Sequence, residues 1–138
     1  NQYMQTSKDG IFACGNVVHV NDLVDNVSAE SEQAGKYAAR FAMGKFPEIK
    51  NDIAVKTGRN VRYVCPHKLV ATNETEKVNL YFRVLAPELG VKLIARDGDA
   101  VLSQKKEFRV NPGEMNCITI DTAKISGNEI VIEAVKED

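Results

Sequence analysis

Two hydrophobic periods divide this chain, and they meet near residue 50. In the first stretch Ile11-Phe12-Ala13-Cys14 is a short apolar run closed by Gly15-Asn16, the pattern of a strand buried on both faces that ends in a turn. Such a strand belongs to a parallel sheet. Further along, Ala34, Ala38 and Ala42 recur every four residues with Tyr37 and Phe41 beside them, so the spacing predicts a helix of about four turns over Ser28–Met43. Asn26 or Ser28 is positioned to cap its first turn, and Glu30 and Glu32 complement the positive end of the helix dipole. Gly44 and Pro47 end the pattern, and Lys45–Asp52 reads as a linker.

From Ala54 onward the period is two. Val78, Leu80, Phe82 and Val84 alternate with Asn79, Tyr81, Arg83 and Leu85, which predicts a strand with one face in a core. Val91–Arg96 and Ala100–Val110 flank Asp97-Gly98 and form a predicted hairpin. Asn111-Pro112-Gly113-Glu114 suits a type II turn, with Met115–Asp121 after it and a last strand over Ile130–Val135. With Val61–Cys65 this makes six or seven short strands and no helix between them. The fold class expected is therefore mainly β: an immunoglobulin-like antiparallel β-sandwich over residues 54–138, preceded by a strand–helix segment over residues 1–50. The sandwich core is assigned to Val78, Leu80, Phe82, Val84, Leu93, Ile118, Ile120, Ile130 and Ile132. A proteolytic cut between Gly44 and Lys56 is expected to release the sandwich.

Charge and composition narrow the function classes. Eighteen Lys and Arg against nineteen Asp and Glu give a net charge of -1, so no general basic field exists to hold a nucleic acid. No apolar run approaches the roughly 20 residues of a bilayer span. The three cysteines, Cys14, Cys65 and Cys117, are dispersed and form no CxxC pair, which argues against a zinc site and fits a reducing cytoplasm. The chain starts at Asn1 without a leader pattern and reads as a piece of a longer protein.

Chemistry concentrates in Thr6-Ser7-Lys8-Asp9-Gly10-Ile11-Phe12-Ala13-Cys14-Gly15-Asn16 and in the string Val17–Gly35 that follows. A strand ending in glycine lets backbone approach a ligand closely, and the next polar side chain can bond a sugar hydroxyl. This segment resembles the second FAD-binding motif of the FAD-dependent pyridine nucleotide-disulfide oxidoreductase family, in which a Thr or Ser, a turn, a Gly and an apolar strand lead to Gly-Asp. Ala34-Gly35 and Ala38-Ala39 match the helix that follows in such proteins. The resemblance covers about the first third of the chain and implies that residues 1–50 are the end of an α/β FAD-binding domain. It further implies that Gly15 and Asn16 contact the ribityl chain, with Asn16 where the family has Asp. The free amides around Val27, Ser28 and Ala29 would face the pyrimidine edge of the ring.

The nine glycines spell no GxGxxG and no Walker-type loop, so the pyrophosphate cradle is absent from this chain. What the resemblance implies is thus the carboxy-terminal segment of a flavoprotein that passes electrons from NAD(P)H through FAD to an acceptor. The segment alone is expected to be inactive, with no catalytic or metal-ligating residue of its own. Its partners would be the remainder of the parent flavoprotein and, as an alternative role for the sandwich, a partner subunit or redox protein that docks on it. The other candidates read as structural: His19 in an apolar stretch, Asp22 and Asp25 as loop-bonding acids, Cys65 beside His67 as a core thiol, and Lys105, Lys106 and Arg109 as a solvated strand face.

Overall fold

A computed structural model describes residues 1–137, which form two compact units, Asn1–Glu48 and the segment from Ile49 on. Among the described residues the second unit holds eight strands: β1 (Ile49–Thr57), β2 (Val61–Cys65), β3 (Lys68–Thr72), β4 (Lys77–Val84), β5 (Glu88–Asp97), β6 (Ala100–Val110), β7 (Asn116–Asp121) and β8 (Glu129–Lys136). They make a five-stranded sheet in the order β3-β1-β8-β5-β6 and a three-stranded sheet in the order β2-β4-β7. Alternation decides which face of each is apolar. On β4, Val78, Leu80, Phe82 and Val84 are buried, and their register partners Ile120 and Ile118 on β7 continue the same face. Facing them from the larger sheet are Ile53 and Val55, Leu69, Val91, Leu93 and Ala95, and Ile130, Ile132 and Ala134, all in one core cluster. The unit is a β-sandwich, and all nine residues assigned to its core by alternation are buried.

Several expectations need correction. The sandwich is not wholly antiparallel, because β1 runs parallel to β8 from Ala54↔Glu129 to Thr57↔Ile132. A period of two records which face is buried and carries no sign of strand direction. β1 also starts at Ile49 and claims part of the expected linker; its first four residues, Ile49, Lys50, Asn51 and Asp52, are exposed and show no apolar alternation. The five-residue β3 was not expected at all. At the β5–β6 hairpin the two loop residues are Gly98-Asp99, one step along from Asp97-Gly98, with Gly98 at φ +60°. The turn at 111–114 closes with Glu114 N–H to the Asn111 carbonyl at 3.0 Å. Gly113 is outside the left-handed region there, so the turn is type I rather than type II, and the Asn111 side chain accepts from the Gly113 amide at 3.0 Å.

In the first unit, Ile11–Cys14 is not a buried parallel strand. Its only ladder contact among the described residues is an antiparallel bridge between Gln5 and Phe12, flanked by Thr6 N–H to Ile11 O at 2.8 Å, and Ile11 is 57% exposed. An apolar tetrapeptide becomes a buried strand only when flanking strands take up its backbone groups. The helix is present as α1 (Val24–Ala42), beginning four residues before Ser28. Leu23 is its extended N-cap and makes no side-chain cap bond, which places Asn26 and Ser28 inside the helix rather than at its cap. At the other end Gly44 (φ +70°) closes a Schellman motif: Lys45 N–H bonds Arg40 O at 2.8 Å and Gly44 N–H bonds Phe41 O at 3.1 Å. The buried stripe of α1 is Glu30, Ala34 and Tyr37. Tyr37 stacks at 4.4 Å on Tyr3, which is fully buried, and Phe12, Phe41 and Phe46 extend the cluster edge to face.

Candidate functional site

Cys14 is extended and Gly15 turns sharply, at φ +74°, into a single 3₁₀ turn over Gly15–Val17. Only glycine takes this conformation without strain, and a Cβ added there would sit 3.4 Å from Val27 Cγ1, so the backbone passes close over the second turn of α1. The Gly15 amide donates to Glu30 Oε2 at 2.9 Å. The other carboxylate oxygen, Oε1, lies 2.5 Å from His19 Nε2, and both side chains are buried. In front of this buried contact Asn16 is exposed, and its Oδ1 accepts from the Asn21 amide at 3.2 Å, closing a six-residue loop. Val18 N–H bonds Gly15 O at 3.0 Å within the same loop.

The structure brings Gly15 against Val27, with Asn16 next along the chain. It does not leave the amides of Val27, Ser28 and Ala29 free, because α1 starts at Val24 and these three lie in its body, where each N–H meets the carbonyl four residues back. The groups without such a carbonyl belong to the first turn, Val24 and Asp25, whereas Asn26 N–H reaches Leu23 O at 3.2 Å. Ser28 and Ala29 are exposed on the helix surface. Asp25 adds a negative charge to that first turn, and Val17 (83% exposed), Val20, Leu23 (63%) and Val24 surround it with apolar side chains open to solvent.

His19 is buried, in keeping with the structural reading of it, but its pairing with Glu30 was missed from sequence. Glu30 was assigned only to the helix dipole, and His19 was treated separately from it. The signal was present, since Glu30 precedes Ala34, Tyr37 and Phe41 by four, seven and eleven positions and so stands on the stripe that packs. An acid on a buried stripe requires a partner, and the nearest sequence-distant polar group on an apolar stretch was His19.

The remaining candidates do not converge. Cys65 is half-buried and His67 is exposed, all three cysteines are free thiols, and among the described residues no group of His, Cys, Asp and Glu could hold a metal ion. Burial pushes the Cys117 thiol up from its ordinary range. Lys105 pairs with Glu107 at 2.7 Å, Lys106 with Glu137 at 3.2 Å and Arg109 with Glu114 at 3.3 Å, which makes β6 a solvated, charge-paired edge. Asp22 and Asp25 are exposed beside the loop. Among the described residues no helix is long and apolar enough to cross a membrane. No protein-family model, no characterised protein and no solved structure matches the chain.

Proposed function

We propose that this chain is the carboxy-terminal segment of a cytoplasmic FAD-dependent NAD(P)H oxidoreductase, with Asn16 and the amino end of α1 holding one end of the flavin. The observation that carries the reading is the left-handed Gly15 next to the exposed Asn16, beside a helix that begins with no side-chain cap. These features fit the sugar and ring portion of a flavin. Asn16 keeps two amide hydrogens to donate to ribityl hydroxyls while its oxygen is engaged by Asn21. The first-turn amides of Val24 and Asp25 present donors to electron-rich ring atoms, and the exposed valines offer an apolar edge. Nothing in the chain fits the pyrophosphate, whose cradle would be contributed by the remainder of the parent flavoprotein. When bound, FAD supplies the hydride-accepting chemistry between NAD(P)H and the acceptor. The chain's own residues position and do not react, so the segment alone is inactive.

The test starts from the coding sequence upstream of Asn1, where the reading requires a strand, a GxGxxG and a helix. The longer product should copurify with FAD, and Asn16→Ala in it should weaken flavin retention about tenfold, the worth of one hydrogen bond. A longer product that carries the glycine motif but no flavin would sink the proposal. A second reading, the sandwich as a docking module for a partner subunit or redox protein, is favoured by Phe108, which is 83% exposed on the edge strand β6. Phe108→Ser should abolish co-elution with the acceptor protein while leaving the thermal midpoint unchanged.

A further inference from the structure

Burying a carboxylate is expensive, and the cost is met only where its lone pairs are matched. Glu30 is 6% exposed, and among the described residues its only partners are the Gly15 amide at 2.9 Å and His19 Nε2 at 2.5 Å. Neither contact is local: they span 15 and 11 residues and tie both ends of the Gly15–His19 segment to the second turn of α1. Opposite, the Asn16–Asn21 bond closes the same segment at the surface. Between these two clamps the exposed side chain of Asn16 has little freedom to turn. An apolar residue at position 30 would suit the Ala34 and Tyr37 stripe better for stability alone, so the acid is explained by what it fixes.

We propose that Glu30, together with His19, is a positioning residue: its buried carboxylate sets the Gly15–Asn16 turn so that the Asn16 side-chain amide is presented to the ligand beside the first turn of α1. The ligand identity rests on the flavoprotein reading above; the positioning does not. Pre-setting one polar group removes the ordering cost from the binding step, so the benefit is read as affinity. Neither residue contacts the ligand in this scheme. Glu30 acts through Gly15, and His19 acts by orienting Glu30 and closing the far end of the loop.

The test uses the 138-residue chain and, separately, the longer flavoprotein. In the chain, Glu30→Ala should speed hydrogen exchange of the Asn21 amide about tenfold by releasing the Asn16 turn, while the ring-shifted signals of Tyr3 and Tyr37 remain. In the longer protein the same variant should weaken FAD binding about tenfold, and Glu30→Gln, which keeps an acceptor for Gly15, should restore most of it. Unchanged Asn21 exchange and unchanged FAD affinity in Glu30→Ala overturn the positioning role. If Glu30→Ala loses the Tyr3 and Tyr37 signals, His19→Ala decides: with those signals kept, Asn21 exchange faster than in wild type supports the role, and Asn21 exchange equal to wild type overturns it. If Asn21 exchange responds but the longer protein holds no flavin, the positioning stands and the flavoprotein reading falls.

Discussion

Asp97 offers a sharp test of how the sandwich is held at one end. It is the last residue of β5, and its Oδ2 accepts from the Ser126 amide at 2.8 Å, the Ser126 hydroxyl at 3.1 Å and the Gly127 amide at 3.0 Å. One carboxylate therefore latches the β5–β6 hairpin to the segment that leads into β8. These backbone and hydroxyl donors hold the Asp97 carboxyl below its ordinary value of 3.8. A hydrogen bond to a charged group is worth about 1.5–3 kcal/mol where water is excluded, but this latch is partly solvated, and about 1–2 kcal/mol for the whole of it is the reasonable expectation. Asp97→Ala should thus lower the thermal midpoint of the sandwich by about 4–16 °C, given about 4–8 °C per kcal/mol at this size. Gly127→Ala should cause a similar loss by a different route, since its Cβ would lie 2.5 Å from Asp97 Oδ1 and displace the carboxylate. Because both act on one latch, the double variant should lose little more than either single. A depressed folded pKa contributes stability that is complete above the unfolded pKa and is lost as pH falls through the folded one. The gap between wild type and Asp97→Ala, measured by urea unfolding, should therefore be full at neutral pH and close progressively below about pH 4. Equal midpoints at neutral pH, additive effects of the two variants, or a gap unchanged at about pH 2 would each refute the latch. Asp99→Ala, at the exposed hairpin tip, is the control and should change nothing.

Phe82→Ala, at a fully buried position of β4, should cost about 3–5 kcal/mol in urea denaturation. Gly10→Ala combines a positive φ of +80° with a Cβ placed 2.8 Å from Phe41 Cε1. It should destabilise the Asn1–Glu48 unit by about 1–2 kcal/mol, read as lost dispersion of the aromatic NMR signals without change in the sandwich. Limited proteolysis should cut within residues 44–48 and spare residues 49–57, because β1 is paired along its length, with β3 over residues 49–54 and with β8 over residues 54–57. A first cleavage inside β1 would contradict that pairing. Titrating the chain with FAD should move no amide signal, since the phosphate cradle is absent, and saturable shifts around Asn16 would show that the cradle is dispensable.

How much of this was legible beforehand depended on whether a residue's role was local. Alternation named the sandwich core correctly because Val78 to Val84 repeat every second position and the repeat itself records the buried face. Gly44 ended α1 as expected because a left-handed C-cap is a local requirement of the last turn. The start of α1 was misplaced because Leu23 caps it without a side-chain bond, leaving no Ser, Asp or Asn signature at the true position. β1 was cut short because Ile49–Asp52 lie exposed over a bulged pairing with β3, where burial leaves no imprint on residue type. Ile11–Cys14 misled because an apolar tetrapeptide reads the same whether or not strands exist to pair with it. At the site, Gly15 and Asn16 were visible through their types and order, whereas Glu30 acts across 15 residues and only geometry joins it to them.

That division bears on what kind of site this is. A turn that merely reversed the chain would need Gly15 and a polar residue after it, both at the surface, and would gain nothing from a buried acid eleven and fifteen residues away. Here the expensive group is inside and the inexpensive one, Asn16, is outside. Stability alone favours the opposite arrangement, because replacing a buried polar pair by apolar side chains is commonly neutral or stabilising. The cost is rational where conformational uniqueness of one exposed amide matters, which is a property of binding sites and not of loops. On the proposed reading, the Glu30–His19 pair, rather than the exposed valines near it in sequence, is the feature that would tell a ligand-binding turn from an ordinary connection.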